Sequence, residues 1–165
     1  MKLLYPLAKR FIAGYNLESA KPAINKLLDQ GFGVTIDYVG EMSKTLEDVQ
    51  NAYSEYTKIL NSYKNVDISI KPSQIGLLMD SPNGKTLCMT VLDRLVNHAR
   101  YRGNTIRLDM EDSRVTKDTV DLAVRYNVGC AIQSNHPDTL THMHNLTTHN
   151  IPIRLVKGAY KEKIT

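Results

Sequence analysis

The sequence predicts an α/β chain whose strands run parallel, each joined to the next through a helix. Three observations carry that expectation. Five short apolar runs recur along the chain, and the four longer stretches between them place apolar residues at helical spacing. The connections are short, as in successive βα units. Each apolar run also finishes in one or two residues that resist burial.

The elements follow in order. Residues 1–31 read as a helical lead-in, in which Ser19 and "AKPAINKLLDQG" form an introductory helix ending at Gly31. "GFGVTIDYVG" holds a β-branched run between glycines, so residues 34–39 read as the first strand. "LEDVQNAYSEYTKILNSYK" is a helix with Val49, Ala52, Tyr53, Tyr56, Ile59 and Leu60 on one face. "VDISIKPS" is the second strand. "GKTLCMTVLDRLVNHARYRG" is a helix with Leu87, Val91, Leu95 and Val96 inward and Gly103 as its stop. "NTIRLDME" is the third strand and "VTKDTVDLAVRYN" the helix after it. "GCAIQS" is the fourth strand, followed by the helix "PDTLTHMHNLTTHN" with Pro137 in its first turn. "IPIRLVKGAY" is the fifth strand.

A chain of 165 residues suits one domain spanning 1–165, with residues 32–165 forming βα units one to four and strand five. The net charge of +4 and pI near 9.0 come from cations interleaved with acids, and even the cluster from Lys157 to Lys163 contains Glu162. That mixture argues against nucleic-acid binding, which needs a basic stripe. Cys88 and Cys130 form no CxxC pair and point to a reducing cytoplasm. The opening "MKLLYPLAKRFIAGY" lacks the apolar core and cleavage site of a signal peptide. No apolar run approaches the ~20 residues that cross a bilayer. Peripheral contact with the inner face of the membrane stays compatible with the composition.

The polar residues at the strand ends are Asp37, Lys71, Asp109 with Glu111, Gln133, and Arg154 with Lys157. In a parallel α/β protein these ends converge on one side of the sheet, where ligands bind. On an extended strand Asp109 and Glu111 share a face. They can form a base with its partner or satisfy nearby cations, or Glu111 can be a solvated loop residue. Lys71, held extended by Pro72, can bind a carboxylate, form a Schiff base if its pKa is depressed, or pair with Asp37 or Asp109. Gln133 offers a donor and an acceptor suited to an amide-like edge. His136, His142, His144 and His149 gather around one predicted helix without a metal-binding motif and read as surface residues, so no metal is expected. There is neither a GxGxxG after the first strand nor a GxxxxGK[ST].

"IRLVKGAYKE" (residues 153–162) resembles the fifth-strand motif of proline dehydrogenases, the flavoenzymes that begin proline catabolism. "GFGVTIDYVGE", "DISIKPSQIGL", "IRLDMED" and the glutamine of "GCAIQS" resemble the first four strands in the same order. The likeness runs from about Ala20 to the end of the sequence. It implies a (βα)8 TIM-barrel fold that binds FAD at the C-terminal ends of its strands. It also implies residue roles. Lys71 would meet the proline carboxylate and Tyr160 would lie beside the substrate. Asp109 would sit near substrate and flavin, with Met110 lining the flavin. Gln133 would hydrogen-bond the isoalloxazine ring and Arg154 would stand near N5. Lys157, Gly158 and Ala159 would meet the ribityl and phosphate portion. Ser134 and Asn135 depart from the family pattern of a small residue and an aromatic after the glutamine.

The resemblance implies oxidation of L-proline to 1-pyrroline-5-carboxylate, with electrons passed to a quinone or similar acceptor. A barrel of this type needs roughly 250 residues. The chain is therefore expected to be the N-terminal part of such an enzyme, inactive alone. Its unclosed sheet invites self-association or pairing with a C-terminal half. Two other readings remain at this point: a lysine-dependent Schiff-base barrel enzyme, and a non-catalytic half-barrel assembly module.

Overall fold

The computed structural model describes residues 12–40, 42–80 and 82–160. The beginning of the expected lead-in (residues 1–11) and the end of the cationic cluster (residues 161–163) lie outside the described residues. The chain divides into two compact units, Met1–Thr35 and Ile36–Thr165.

In the first unit, helix α1 (Leu17–Asp29) starts two residues earlier than the spacing predicts. Its start is set by Asn16, whose side chain accepts from the Ser19 amide at 3.0 Å, while the Ser19 hydroxyl accepts from the Asn16 amide at 3.2 Å. This reciprocal cap satisfies two amides that would otherwise lack partners. Gly31 follows the helix with φ of 81°, the left-handed conformation glycine tolerates.

The remaining elements alternate strand and helix. They are β1 (Thr35–Asp37), α2 (Leu46–Ser62), β2 (Asp67–Ile70), a 3-10 turn (Pro72–Ile75), α3 (Gly84–Arg102) and β3 (Thr105–Leu108). Then come α4 (Thr116–Tyr126), β4 (Gly129–Gln133), α5 (Thr139–Thr148) and β5 (Ile153–Val156). All five strands join one sheet in the order β1-β2-β3-β4-β5, and the pairs from β2 to β5 are parallel. Sequential order without reversal is how a barrel is wound; a doubly wound sheet changes direction at a switch point. The expected α/β class and βα alternation are therefore present, as a half-barrel.

Several boundaries differ from expectation; β3 ends at Leu108 instead of Glu111, and β5 spans Ile153–Val156 instead of residues 151–160. β1 holds three residues instead of six. The second strand stops at Ile70 because Pro72 lacks an amide hydrogen, and residues 72–75 coil into the 3-10 turn. The last helix begins at Thr139, so Pro137 lies in the preceding turn and not in the helix.

The two faces of the sheet differ in kind. Ile68, Ile70, Ile106 and Leu108 are buried on one side. The alternate positions Asp67, Ser69, Lys71, Arg107 and Asp109 share the other, as the two-residue strand period dictates. The buried faces of α2 (Val49, Ala52, Tyr56, Ile59, Leu60) and α3 (Val91, Leu92, Leu95, Val96, Ala99) supply much of the core.

Helix α2 begins at another reciprocal cap. The Asp48 amide donates to the Thr45 hydroxyl at 3.1 Å, and the Thr45 amide donates to the Asp48 carboxylate at 2.9 Å. The amides of Lys44 and Thr45, which both donate to it, hold the Asp48 carboxyl below its usual range. Thr45→Ala should cost about 1 kcal/mol of stability, read as a lowered denaturation midpoint with an unchanged slope.

Candidate active site

Four charged side chains meet at the C-terminal ends of β1, β2, β3 and β5. The Lys71 ammonium donates to both oxygens of Asp37, at 3.1 and 3.2 Å, and to Asp109 at 3.1 Å. The other Asp109 oxygen accepts from the Ser69 hydroxyl at 2.6 Å and from the Arg154 guanidinium. Arg154 also donates to Ser69 at 3.0 Å. Arg154 thus reaches from β5 across β4 to β3 and β2. Asp109 is the common partner of both cations and is largely buried (15% of its side chain exposed).

Burial alone would lower the Lys71 pKa, but the charges of Asp37 and Asp109 outweigh it and raise the pKa above the usual lysine value. Lys71 is therefore a fixed ammonium at neutral pH. A Schiff-base lysine needs the opposite shift. Among the options that the sequence leaves for Lys71, the ion pairs are the ones formed.

A second layer ties the strand-end loops together. Glu111 lies past the end of β3, so the strand geometry that would put it on the same face as Asp109 does not apply. It is buried instead of solvated, accepting from the Ser73 amide at 3.0 Å and from the Ser73 hydroxyl. Gln133 donates to the Glu111 carbonyl at 3.2 Å and accepts from the Ala159 amide at 3.0 Å. One hydrogen of its amide nitrogen has no hydrogen-bond partner among the described residues. Met110 is buried beside these groups in sequence, and Tyr160 is partly exposed, its hydroxyl held protonated by burial and by Glu111.

Ser134 and Asn135, the two departures from the family pattern, stitch β4 to the segment after β5. The Ser134 hydroxyl donates to the Lys157 carbonyl at 2.9 Å, and Asn135 donates to the Tyr160 carbonyl at 3.2 Å. Between them, Gly158 has φ of 100°, and a Cβ there would stand 1.9 Å from the Asn135 amide oxygen. Gly158→Ala should therefore destabilise by about 1–2 kcal/mol through backbone strain and a displaced Asn135. Adding Asn135→Ser should recover only the part due to the clash, a double-mutant comparison read by chemical denaturation.

Sequence reasoning missed Ser69, although the alternation in "DISIK" put a polar residue between Asp67 and Lys71 on one face. It also read His136 and His142 as surface residues together with His144 and His149. The rings of His136 and His142 lie 5.7 Å apart and both are half-buried, whereas His144 and His149 are exposed as expected. At the opposite end of the sheet, Arg107 pairs with Asp67 at 3.0 Å beside a cleft of about 380 Å³. That pair lies away from the strand ends that gather the other charges. Cys88 and Cys130 are free and buried, and burial pushes both thiols up to about 12, so they are unreactive. No helix among the described residues is long and apolar enough to cross a membrane.

Comparison with known proteins gives one consistent answer. The family model for proline dehydrogenase matches residues 20–163. The chain is similar to the proline dehydrogenase of Deinococcus radiodurans, with 31% identity over 98% of this chain and 56% of that protein. It is similar also to proline dehydrogenase 1 of Bacillus subtilis, with 27% identity over 94% of this chain and 53% of that protein. The chain thus spans about half the length of the curated relatives it matches. Among solved structures, proline utilization A from Bdellovibrio bacteriovorus, inactivated by N-propargylglycine, superposes with a TM-score of 0.80. That match covers 96% of this chain and 21% of the other at 19% identity, a likeness of fold.

Proposed function

Because this chain belongs to the proline dehydrogenase family, we propose that its cluster of strand-end charges is the share of a proline and flavin site contributed by the first five strands. The protein would oxidise L-proline to 1-pyrroline-5-carboxylate and pass the electrons to a quinone-type acceptor. Its place would then be the cytoplasm, at or near the inner face of the membrane.

The observation that carries this reading is the Lys71–Asp37–Asp109–Arg154 cluster. Proline is a zwitterion, so its site needs a fixed cation for the carboxylate and an anion near the amine. Lys71 supplies the first, and Asp109 supplies the second at the next strand. The substrate carboxylate would compete with Asp37 for the ammonium. Tyr160, neutral and partly exposed, would flank the ring.

The residues present also suit FAD, an anionic cofactor with a reducible ring. Arg154 is about a third exposed, and among the described residues only one of its nitrogens is engaged. The exposed Lys157 ammonium has no ion-pair partner among the described residues. Lys157, Gly158 and Ala159 would hold the ribityl and phosphate portion, Met110 and Gln133 would face the ring, and Arg154 would stabilise negative charge developing there. When bound, FAD would supply the hydride acceptor. The lysine-dependent alternative loses support because Lys71 is paired twice and held protonated.

The test is anaerobic reduction. The protein completed with the C-terminal half of a family barrel and loaded with FAD should lose its visible flavin band when L-proline is added. A band that L-proline leaves unchanged while dithionite bleaches it would sink the reading.

A further inference from the structure

The turn between β4 and α5 brings together three metal-binding side chains that no sequence motif joins. His136, Asp138 and His142 each offer a ligand atom, all within 4.8 Å of one another. They line a cleft of about 430 Å³ between α4 and α5, away from the strand-end charges. We propose that these three residues bind a divalent ion of the zinc class, with water completing its coordination.

The donor set decides the class of ion. Two imidazoles and one carboxylate suit borderline metals such as Zn²⁺, Co²⁺ and Ni²⁺, whereas Mg²⁺ and Ca²⁺ call for oxygen ligands throughout. Ligands ~2.1 Å from zinc stand ~3.4 Å apart in a tetrahedron, so the side chains need to close by ~1 Å. They are free to do so. Neither the Asp138 carboxylate nor the His142 ring has a hydrogen-bond partner among the described residues. The neighbouring Lys117 is already paired with Asp121 at 2.6 Å, which keeps its ammonium from pairing with the Asp138 carboxylate in the ion's stead.

One contact must yield. The Asp138 amide donates to His136 Nδ1 at 3.1 Å, which leaves the neutral ring's proton on Nε2. An ion at Nδ1 displaces that amide, and an ion at Nε2 requires the proton to move to Nδ1. Either way a single exposed hydrogen bond is exchanged for a metal–nitrogen bond. The ion would brace this turn, whose Thr139 hydroxyl lies 2.6 Å from the carbonyls of both Gln133 and His136.

Titration of the full-length protein with Co²⁺, followed by its visible absorption, and with Zn²⁺ in equilibrium dialysis tests the proposal. One equivalent of each should bind saturably, and Zn²⁺ should raise the melting temperature as its concentration passes Kd. His142→Ala and Asp138→Asn should each weaken binding roughly tenfold or more, while His144→Ala on the exposed side of the same helix should leave it unchanged. No saturable binding, or full stoichiometry retained in a folded His136→Ala/His142→Ala double variant, would overturn it. Circular dichroism establishes that the variants are folded.

Discussion

Arg154→Met is expected to slow proline-dependent flavin reduction by roughly 10²–10³-fold, the usual cost of removing a preorganised charge from a developing anion. Stability should change little. The side chain is 37% exposed, and an ion pair so open to solvent contributes about 1 kcal/mol or less. The loss should therefore appear in the limiting reduction rate measured by stopped flow, with the proline concentration at half-maximal rate much less affected. Arg154→Lys should recover only part of the rate, because its one nitrogen would have to serve both the Ser69 and Asp109 contacts, which Nη2 alone makes, and the flavin, for which the guanidinium keeps its other donors free of partners among the described residues. A substitution that raised only the half-maximal proline concentration would move Arg154 from flavin to substrate.

Asp109→Ala should produce the largest combined effect. It removes the anion that Lys71 and Arg154 share and the acceptor of the nearly inaccessible Ser69 hydroxyl. Breaking a fully buried pair costs 3–5 kcal/mol and an exposed one under about 1, so a partly buried hub should cost about 2–3 kcal/mol. Denaturant unfolding would show this directly, and proline turnover should be lost beyond detection. Asp109→Asn keeps the hydrogen bond from Ser69 and should unfold nearer to the parent while staying inactive. A loss below about 0.5 kcal/mol for the alanine variant would show that the cluster does not fasten the strands.

The same cluster has a pH signature. Lys71 titrates above its unfolded value of 10.5, so the folded protein holds its proton more tightly than the unfolded chain. The stabilisation is complete below that value and fades as pH rises through the folded pKa. Asp109→Ala should reduce this alkaline loss, since Asp37 alone then supports the ammonium.

Much of this was legible in the sequence because it depends on short-range periodicity. The alternation in "DISIK" and "IRLDM" places ionisable residues on one face of each strand, and parallel winding carries their ends to one side. What was not legible depends on contacts between distant segments. Nothing near Glu111 in sequence announces that Ser73, thirty-eight positions away, will bury its carboxylate. Nor does the spacing of Ser134 and Asn135 reveal that they close onto the backbone of Lys157 and Tyr160. His136 and His142 read as surface residues because an irregular turn before α5, which no periodicity announces, folds His136 back toward the first turn of the helix that carries His142. The shortened second strand was foreseeable from Pro72, whose missing amide outweighs the apolar run before it.

The two cations and two anions at the strand ends sum to zero, and so does a zwitterion such as proline. Such a cluster throws little field beyond its own few ångströms, unlike the one-signed clefts that draw in charged substrates from a distance. Capture then depends on collision and on local exchange of partners. Encounter with a zwitterionic ligand should be almost independent of ionic strength, and a cell in which salt fluctuates would leave its rate untouched.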